Sequence, residues 1–297
     1  MIYYFSSGEF GSLVFLEILK FLKIDKVITI PSRYKGRGLK PQDPLIKSLA
    51  LEKNIEVIQV ENPEELEFNE RPDFIVVCDY GKILKEKTLK LPRIAPLNIH
   101  PSLLPKYRGA SPIERAMMEG DEIGVSVILM NEKVDEGKII RQEKINYSIE
   151  MTKGDLYPIL AQLSAKLLKL SIEDFLSNNV NLMEQIGKPT YAKKIKKEEL
   201  FLDFNENYLK IIRKINALSP KPTARAIIKN LYLKFYRAIP CEMKLKPYEI
   251  YINKEEFIIG ALDGSVKILE VQPENSKIMK AKDFINGYGK LILTSIG

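Results

Sequence analysis

Through the first third of the chain, short β-branched and aromatic runs, too brief for helices, alternate with helical patterns, and few folds accommodate that alternation. Met1 to Ser7 reads as a strand, Phe10 to Lys23 as a helix with Leu13, Leu16 and Leu19 in register, and Val27 to Ile30 as a second strand. Strand, helix and strand within about 30 residues form the crossover unit of a parallel sheet, since parallel neighbours cannot be joined by a tight hairpin. The pattern continues with a helix over Pro44 to Lys53, strands over Ile55 to Val60 and Phe74 to Cys78, a turn into a helix after Leu84, and a short strand over Ala95 to His100. Strands over Ile123 to Met130 and Lys138 to Ile140 follow. The expected class is α/β, a Rossmann-like, mostly parallel sheet. No Gly-x-Gly-x-x-Gly follows the first strand, which argues against a dinucleotide cofactor.

Thr152-x-x-Asp155 is a helix cap, and Leu156, Leu160, Leu163, Leu167 and Leu170 form a helical stripe suited to covering a sheet face. Ser111-Pro112-Ile113-Glu114 caps a shorter helix running through Met118. The periodicity then fails at Gly187 to Ile195, a cationic stretch that reads as a linker. Beyond it come an amphipathic helix over Tyr208 to Leu218, with Ile211, Ile212 and Ile215 on its apolar side, and mainly strands: Leu231 to Ile239, Glu249 to Ile252, Glu256 to Ala261 and Ser265 to Val271, with Asp263-Gly264 as a hairpin turn. Such strands, with a helix-like insert near Ala281 to Asn286, suit a small OB-like β-barrel. The expected domains are residues 1–184, a basic linker 185–203, and a C-terminal domain 204–297.

The 297 residues are 45% hydrophobic and 29% charged, as in an ordinary globular protein. No stretch of 18 uncharged apolar residues occurs and the N-terminus lacks a basic signal region, so no membrane association and a cytoplasmic location are expected. Two distant cysteines and one histidine indicate neither a disulfide framework nor a metal site, and Cys78 reads as core filling. The net charge of +7 is concentrated: residues 181–247 hold 15 Lys and Arg against 6 Asp and Glu, a local +9. That points either to a large anionic partner or to a Lys-rich solvated surface.

His100 is the only histidine, so any imidazole chemistry must occur there. Asn98 lies two residues earlier, on the same face of the strand. An amide donor beside an imidazole suits a site that stabilises an oxyanion and moves a proton; equally, an isolated Asn and His satisfy buried hydrogen bonds. Asp135, in the loop Val134-Asp135-Glu136-Gly137, adds a carboxylate beside a sheet end.

Three separated motifs, Asn98-Ile99-His100-Pro101-Ser102-Leu103-Leu104-Pro105, Arg108-Gly109-Ala110-Ser111-Pro112-Ile113 and Val134-Asp135-Glu136-Gly137, resemble the active-site signature of the 10-formyltetrahydrofolate-using formyltransferases. The resemblance implies that Asn98, His100 and Asp135 are catalytic, that Ser102, Leu103, Leu104 and Pro105 lie against the folate, and that Tyr80 to Leu84 wall the pterin pocket. It also implies 10-formyltetrahydrofolate as formyl donor, with no metal. In the branch acting on initiator methionyl-tRNA, a basic loop with an Arg between two glycines reaches the acceptor stem. Gly36-Arg37-Gly38 matches it, flanked by Lys35 and Lys40. The bland reading of Ser32 to Pro44 is a surface loop.

Ala192-Lys193-Lys194-Ile195 and the run from Gly260 to Gly287 resemble the C-terminal part of that branch, which makes Lys193 and Lys194 candidate tRNA contacts. The implied activity is formylation of methionyl-initiator tRNA by a monomer; a sugar-nucleotide N-formyltransferase is the alternative. Where the tRNA branch carries Gly-Thr-Pro-Glu-Phe after its first strand, this chain reads Ser6-Ser7-Gly8-Glu9-Phe10.

Overall fold

A computed structural model describes residues 1–35 and 40–293. The chain forms two compact units, the first comprising Met1–Pro112, Ile123–Ile145 and Tyr157–Ala192, the second Ile113–Glu122, Asn146–Leu156 and the chain from Lys193 onward.

In chain order, the elements up to Ala192 are β1 (Ile2–Phe5), α1 (Glu9–Ile18), β2 (Lys26–Thr29), β3 (Arg33–Lys35), β4 (Lys40–Gln42), α2 (Leu45–Glu52), β5 (Glu56–Gln59), β6 (Phe74–Val77), α3 (Glu86–Leu89), β7 (Ala95–His100), β8 (Arg108–Gly109), α4 (Pro112–Glu119), β9 (Ile123–Leu129), β10 (Lys138–Ile145), α5 (Lys153–Leu176) and β11 (Tyr191–Ala192). Seven strands build one sheet in the order β10-β9-β7-β6-β1-β2-β5. From β7 to β5 every neighbouring pair is parallel, while β9 runs antiparallel to both β7 and β10. All four residues of β1 are buried, as a central strand covered on both faces requires. Tyr3, Phe5, Ile28, Ile75 and Val77 form the heart of one core cluster.

Two local expectations change. Helix α1 buries Phe10, Val14, Phe15 and Ile18, and leaves Leu13, Leu16 and Leu19 half-exposed. The helix is apolar nearly all round, so its pattern does not single out a face. Close approach does: a Cβ on Gly11 would stand 2.4 Å from the Cys78 carbonyl, which forces that side of the helix onto the sheet. The basic segment Ser32 to Pro44, read as a loop, contains the antiparallel pair β3·β4, with Lys35 opposite Lys40. Strands of three residues are too short to show a period. The Gly36-Arg37-Gly38 match lies outside the described residues.

Helix α5 opens with the expected reciprocal cap: the Thr152 amide donates to Asp155 Oδ2 at 2.8 Å, and the Asp155 amide donates to Thr152 Oγ1 at 3.2 Å. Its leucines at 156, 160, 163 and 167 are buried.

The second unit adds α6 (Tyr208–Ala217), β12 (Ala224–Ile228), β13 (Leu231–Cys241), β14 (Ile250–Ile252), β15 (Phe257–Gly260), β16 (Ser265–Pro273), β17 (Met279–Lys280) and α7 (Ala281–Leu293). Its sheet is antiparallel throughout, ordered β12-β13-β16-β15-β14, with β17 on β16. Sequence reading passed over β12. Its hairpin turn, Lys229-Asn230, has both residues at positive φ (48° and 66°), the geometry for which Asn is a usual marker. The core gathers Ile211, Ile212 and Ile215 of α6 with Phe235, Phe257 and Phe284, and Phe284 stacks on Phe257 at 5.1 Å between centroids.

Within this unit Arg115 of α4 grips Glu199, Nη1 donating to Oε1 at 2.5 Å and Nη2 to Oε2 at 3.0 Å. The guanidinium pulls the Glu199 carboxyl down to about 2, against an ordinary 4.5. A depressed folded-state value stabilises the native state above the unfolded-state value, and that contribution disappears as pH falls through the folded one. Glu199→Gln is therefore expected to unfold more readily than wild type at neutral pH, with the gap closing between about pH 5 and pH 2. Urea melts at several pH values measure it; a pH-independent gap would contradict the assignment. Among the described residues, no helix is long and apolar enough to cross a membrane.

Candidate active site

The border where the sheet changes from parallel to antiparallel carries the site. Strand β7 presents Asn98 and His100 to the same side, and the β9–β10 loop brings Asp135 to them. Asn98 Nδ2 donates to Asp135 Oδ1 at 3.2 Å, and His100 Nδ1 lies 3.5 Å from that same oxygen. The second oxygen, Oδ2, accepts the Gly109 amide at 2.8 Å. The three residues chosen from sequence thus converge.

His100 is 5% exposed. Its Nε2 sits 2.8 Å from the Tyr107 carbonyl oxygen. A carbonyl only accepts, so Nε2 carries the hydrogen, which leaves Nδ1 as the nitrogen turned toward the carboxylate. The imidazole is thereby held in one tautomeric orientation, with the Asp135 side as its route for a proton. Asn98 has two amide hydrogens and spends one on Asp135; the other is a donor for an incoming oxygen.

Asp135 adopts a left-handed conformation, φ 56°, which Asp tolerates better than most residues. The loop is held from outside. Gln185 Nε2 donates to the Asp135 and Gly137 carbonyls, both at 2.8 Å, while Gln185 Oε1 accepts from Arg108 Nε at 3.1 Å and Nη2 at 2.7 Å. Arg108 Nη1 also pairs with Glu136 Oε1 at 3.0 Å. Gly109 is required for its own reason. It sits at φ 116°, and a Cβ there would stand 3.0 Å from the Ala192 carbonyl.

The stretch expected to line the folate is divided by the structure. Ser102 Oγ donates to the Lys106 carbonyl at 2.7 Å inside its own loop, and Ser102 is 2% exposed. Leu104 packs into a small buried cluster with Ile128 and Ile139. Its amide donates to Ser126 Oγ at 3.2 Å and its carbonyl accepts Gln142 Nε2 at 3.0 Å. Leu103 and Pro105 alone keep partly exposed side chains. Tyr80 and Leu84 likewise turn into the core cluster of the first unit. Burial raises the Tyr80 phenol to about 12, and its hydroxyl has no hydrogen-bond partner among the described residues.

One strand away lies the switch point between β1 and β6, where the unusual Ser6-Ser7-Gly8 turn meets Asp79. The Ser7 and Gly8 amides both donate to the Asp79 carbonyl, at 3.0 and 2.9 Å. A Cβ on Gly8 would fall 1.8 Å from Asp79 Oδ2. A side chain at position 8 therefore conflicts with the Asp79 carboxylate as it is placed here. Cys78 is wholly buried and its thiol is pushed well up by burial, in keeping with core filling.

Lys193 and Lys194 are exposed and follow β11 directly. For Lys35 and Lys40 only the backbone pairing is described, and Arg37 lies outside the described residues. No group of three His, Cys, Asp or Glu suited to a metal occurs among the described residues. Sequence reading missed the Tyr107 carbonyl, the Gly109 amide and Gln185. Backbone groups leave no residue-type signature, and a lone Gln in an aperiodic stretch offers none.

Comparison with known proteins agrees with this geometry. A profile described as "Formyl transferase" matches residues 19–172, and one described as "Formyl transferase, C-terminal domain" matches residues 194–289. The methionyl-tRNA formyltransferase of Thermotoga maritima is 39% identical over 88% of this chain and 86% of its own length. That of Carboxydothermus hydrogenoformans is 34% identical over 98% of this chain and 97% of its own. Among solved structures, HypX from Aquifex aeolicus in complex with tetrahydrofolic acid superposes with a TM-score of 0.67 at 19% identity; the match takes in 99% of this chain, which spans about half (47%) of HypX. The sugar 3N-formyl transferase WlaRD, solved with dTDP and 5-N-formyl-THF, gives 0.67 at 22% identity over 93% of this chain and 98% of its own. Those two likenesses speak for the fold alone. With both halves matched in order and relatives above 30% identity along nearly its whole length, this chain belongs to the formyltransferase family, alongside the methionyl-tRNA formyltransferases.

Proposed function

We propose that the protein transfers the formyl group of 10-formyltetrahydrofolate to the α-amino group of methionyl-initiator tRNA, with Asn98, His100 and Asp135 as catalytic residues. The observation that carries this reading is the convergence of the Asn98 amide, the His100 imidazole and the Gly109 amide on the Asp135 carboxylate. The amine nitrogen attacks the formyl carbon and the carbonyl π pair moves to oxygen, giving a tetrahedral oxyanion. The free Asn98 N–H donates to that oxyanion, an interaction of the kind worth about 3 kcal/mol in the barrier. The attacking nitrogen must lose a proton before the folate nitrogen can leave. Asp135 and His100 Nδ1 are placed to accept that proton and return it to the leaving nitrogen, so no proton is left over.

The residues present suit a folate co-substrate. The half-exposed Leu103 and Pro105 offer apolar surface to such a ligand. On the RNA side, we infer a basic segment led by Lys193 and Lys194, contacts from Lys35, Arg37 and Lys40, and a tRNA-binding C-terminal domain over 204–297 joined by a linker at 185–203. The enzyme is read as a cytoplasmic monomer. Supporting this over a sugar-nucleotide acceptor are the near-complete matches to methionyl-tRNA formyltransferases at 34 to 39% identity, against 22% for the sugar enzyme.

Purified protein given 10-formyltetrahydrofolate and charged initiator tRNA is expected to yield formylmethionine. Failure there, together with formylation of an amino-sugar nucleotide, would reverse the choice of acceptor. The variant Lys193→Ala/Lys194→Ala is expected to weaken tRNA binding and to reduce the slope of log affinity against log salt by about 1 to 2. An unchanged slope would make these lysines a solvated surface only.

A further inference from the structure

The stretch Met183 to Ala192 fastens to the site at successive points. Met183 and Ile139 exchange backbone hydrogen bonds at 2.8 Å, Thr190 Oγ1 accepts the Tyr107 amide at 2.9 Å, and Tyr191 and Ala192 pair with Arg108 and Gly109. Between these anchors, the Gln185 side chain is the only one described that bonds the main chain on both sides of Glu136. Its amide orientation is not arbitrary. The oxygen faces two donors of Arg108 and the nitrogen faces two carbonyls, so a flipped amide would set N–H against N–H and oxygen against oxygen. Arg108 meanwhile holds Glu136, so residues 135, 136 and 137 are each gripped by one member of the Arg108–Gln185 pair.

What this grip secures is a conformation the loop would not keep alone. Asp135 is left-handed, disfavoured for a residue with a side chain unless its surroundings over-determine it. Releasing the Asp135 carbonyl would let the peptide rotate, and the carboxylate would leave the position 3.5 Å from His100 Nδ1. Displacements of about an ångström at a reacting group typically cost about 100-fold in rate.

We propose that Gln185, oriented by Arg108, is a positioning residue for formyl transfer: it sets the backbone of Asp135 and thereby the placement of its carboxylate on His100. This rests on the reading of Asp135 given above. Gln185 touches neither His100 nor Asn98 through any described bond, so its effect passes through Asp135.

The test uses the full-length protein and single-turnover formyl transfer with enzyme in excess. Gln185→Ala removes both donors and the Arg108 acceptor. Gln185→Glu keeps the shape and the Arg108 partner but presents oxygen to the two carbonyls. Both are expected to lower the rate of the chemical step by about 10- to 100-fold, with apparent affinities for folate and tRNA within about twofold of wild type. Glu184→Ala, the neighbour paired with Lys138 at the surface, is expected to leave the rate unchanged.

The decisive comparison is in an Asp135→Asn background. There, adding Gln185→Ala is expected to leave the residual rate unaltered, because the group it positions is already gone. An unchanged rate in both single variants would overturn the proposal, as would the same proportional loss with and without Asp135, which marks a general structural role. Wild-type turnover by Asp135→Asn alone would instead remove the assigned role of Asp135, an outcome read before any Gln185 variant is made.

Discussion

His100→Ala is expected to lower kcat/KM for formyl transfer by about three to four orders of magnitude while leaving the melting temperature within a few degrees of wild type. Two losses combine in that figure. On the proposed mechanism the imidazole passes a proton between the amine and the Asp135 carboxylate, a function worth about 10²- to 10⁴-fold. It also occupies space against the Tyr107 carbonyl, which then loses its 2.8 Å partner. Asp135→Asn gives a complementary result. Asn keeps the volume, but its amide NH₂ and carbonyl oxygen cannot both accept from Asn98 and Gly109, so one of those donors faces an N–H. If either variant turns over at near-native rate, the catalytic assignment fails. If both lose activity and also melt cooperatively at the wild-type temperature, structural collapse is excluded as the cause.

How far the sequence goes depends on which kind of bond makes each feature. Strand β7 was legible to the residue, Ala95 to His100, because a short apolar run bounded by Pro92 and Pro101 has one way to sit in a parallel sheet. The caps at Thr152 and Asp155 were legible because capping is local chemistry written in four residues. That Asn98 and His100 share a face follows from strand geometry alone. Their meeting with Asp135, 37 positions from Asn98, does not. It needed the resemblance of three separated motifs, since nothing in the loop's composition announces that it folds back along β7.

The supporting interactions were the least legible. Gly109 and Tyr107 act through backbone atoms, whose placement is independent of residue type, and Gln185 lies in a stretch read as linker for want of a period. That stretch lacks a period because it forms only a two-residue strand and a three-residue 3-10 turn, and elsewhere bonds to other segments singly through backbone and side chains. The residues expected to line the folate are divided between interior and surface. Ser102, Leu104, Tyr80 and Leu84 carry the family pattern, yet their side chains serve the interior of the first unit.

Glu114→Ala is expected to destabilise the second unit by about 3 to 5 kcal/mol. Glu114, in the first turn of α4, accepts from Lys153 Nζ at 2.8 Å, and the side chains are 14% and 8% exposed. The ammonium also donates to the Lys221 carbonyl at 2.7 Å. Three separate pieces of chain, the excursions 113–122 and 146–156 and the turn after α6, are thus joined at one buried nitrogen.

Removing the carboxylate takes an anionic acceptor away from a buried ammonium, and the loss of that compensation costs more than the worth of the pair itself. The pair is not optimal for stability. Glu114→Leu/Lys153→Met, which removes both charges and keeps the volume, is expected to recover most of the loss, to within about 1 kcal/mol of wild type or above it. Urea denaturation of the two single variants and the double variant measures this directly. Recovery would show that charge burial, not shape, sets the cost; a double variant as unstable as Glu114→Ala would show that the other bonds of Lys153, the one to the Lys221 carbonyl among them, set it instead.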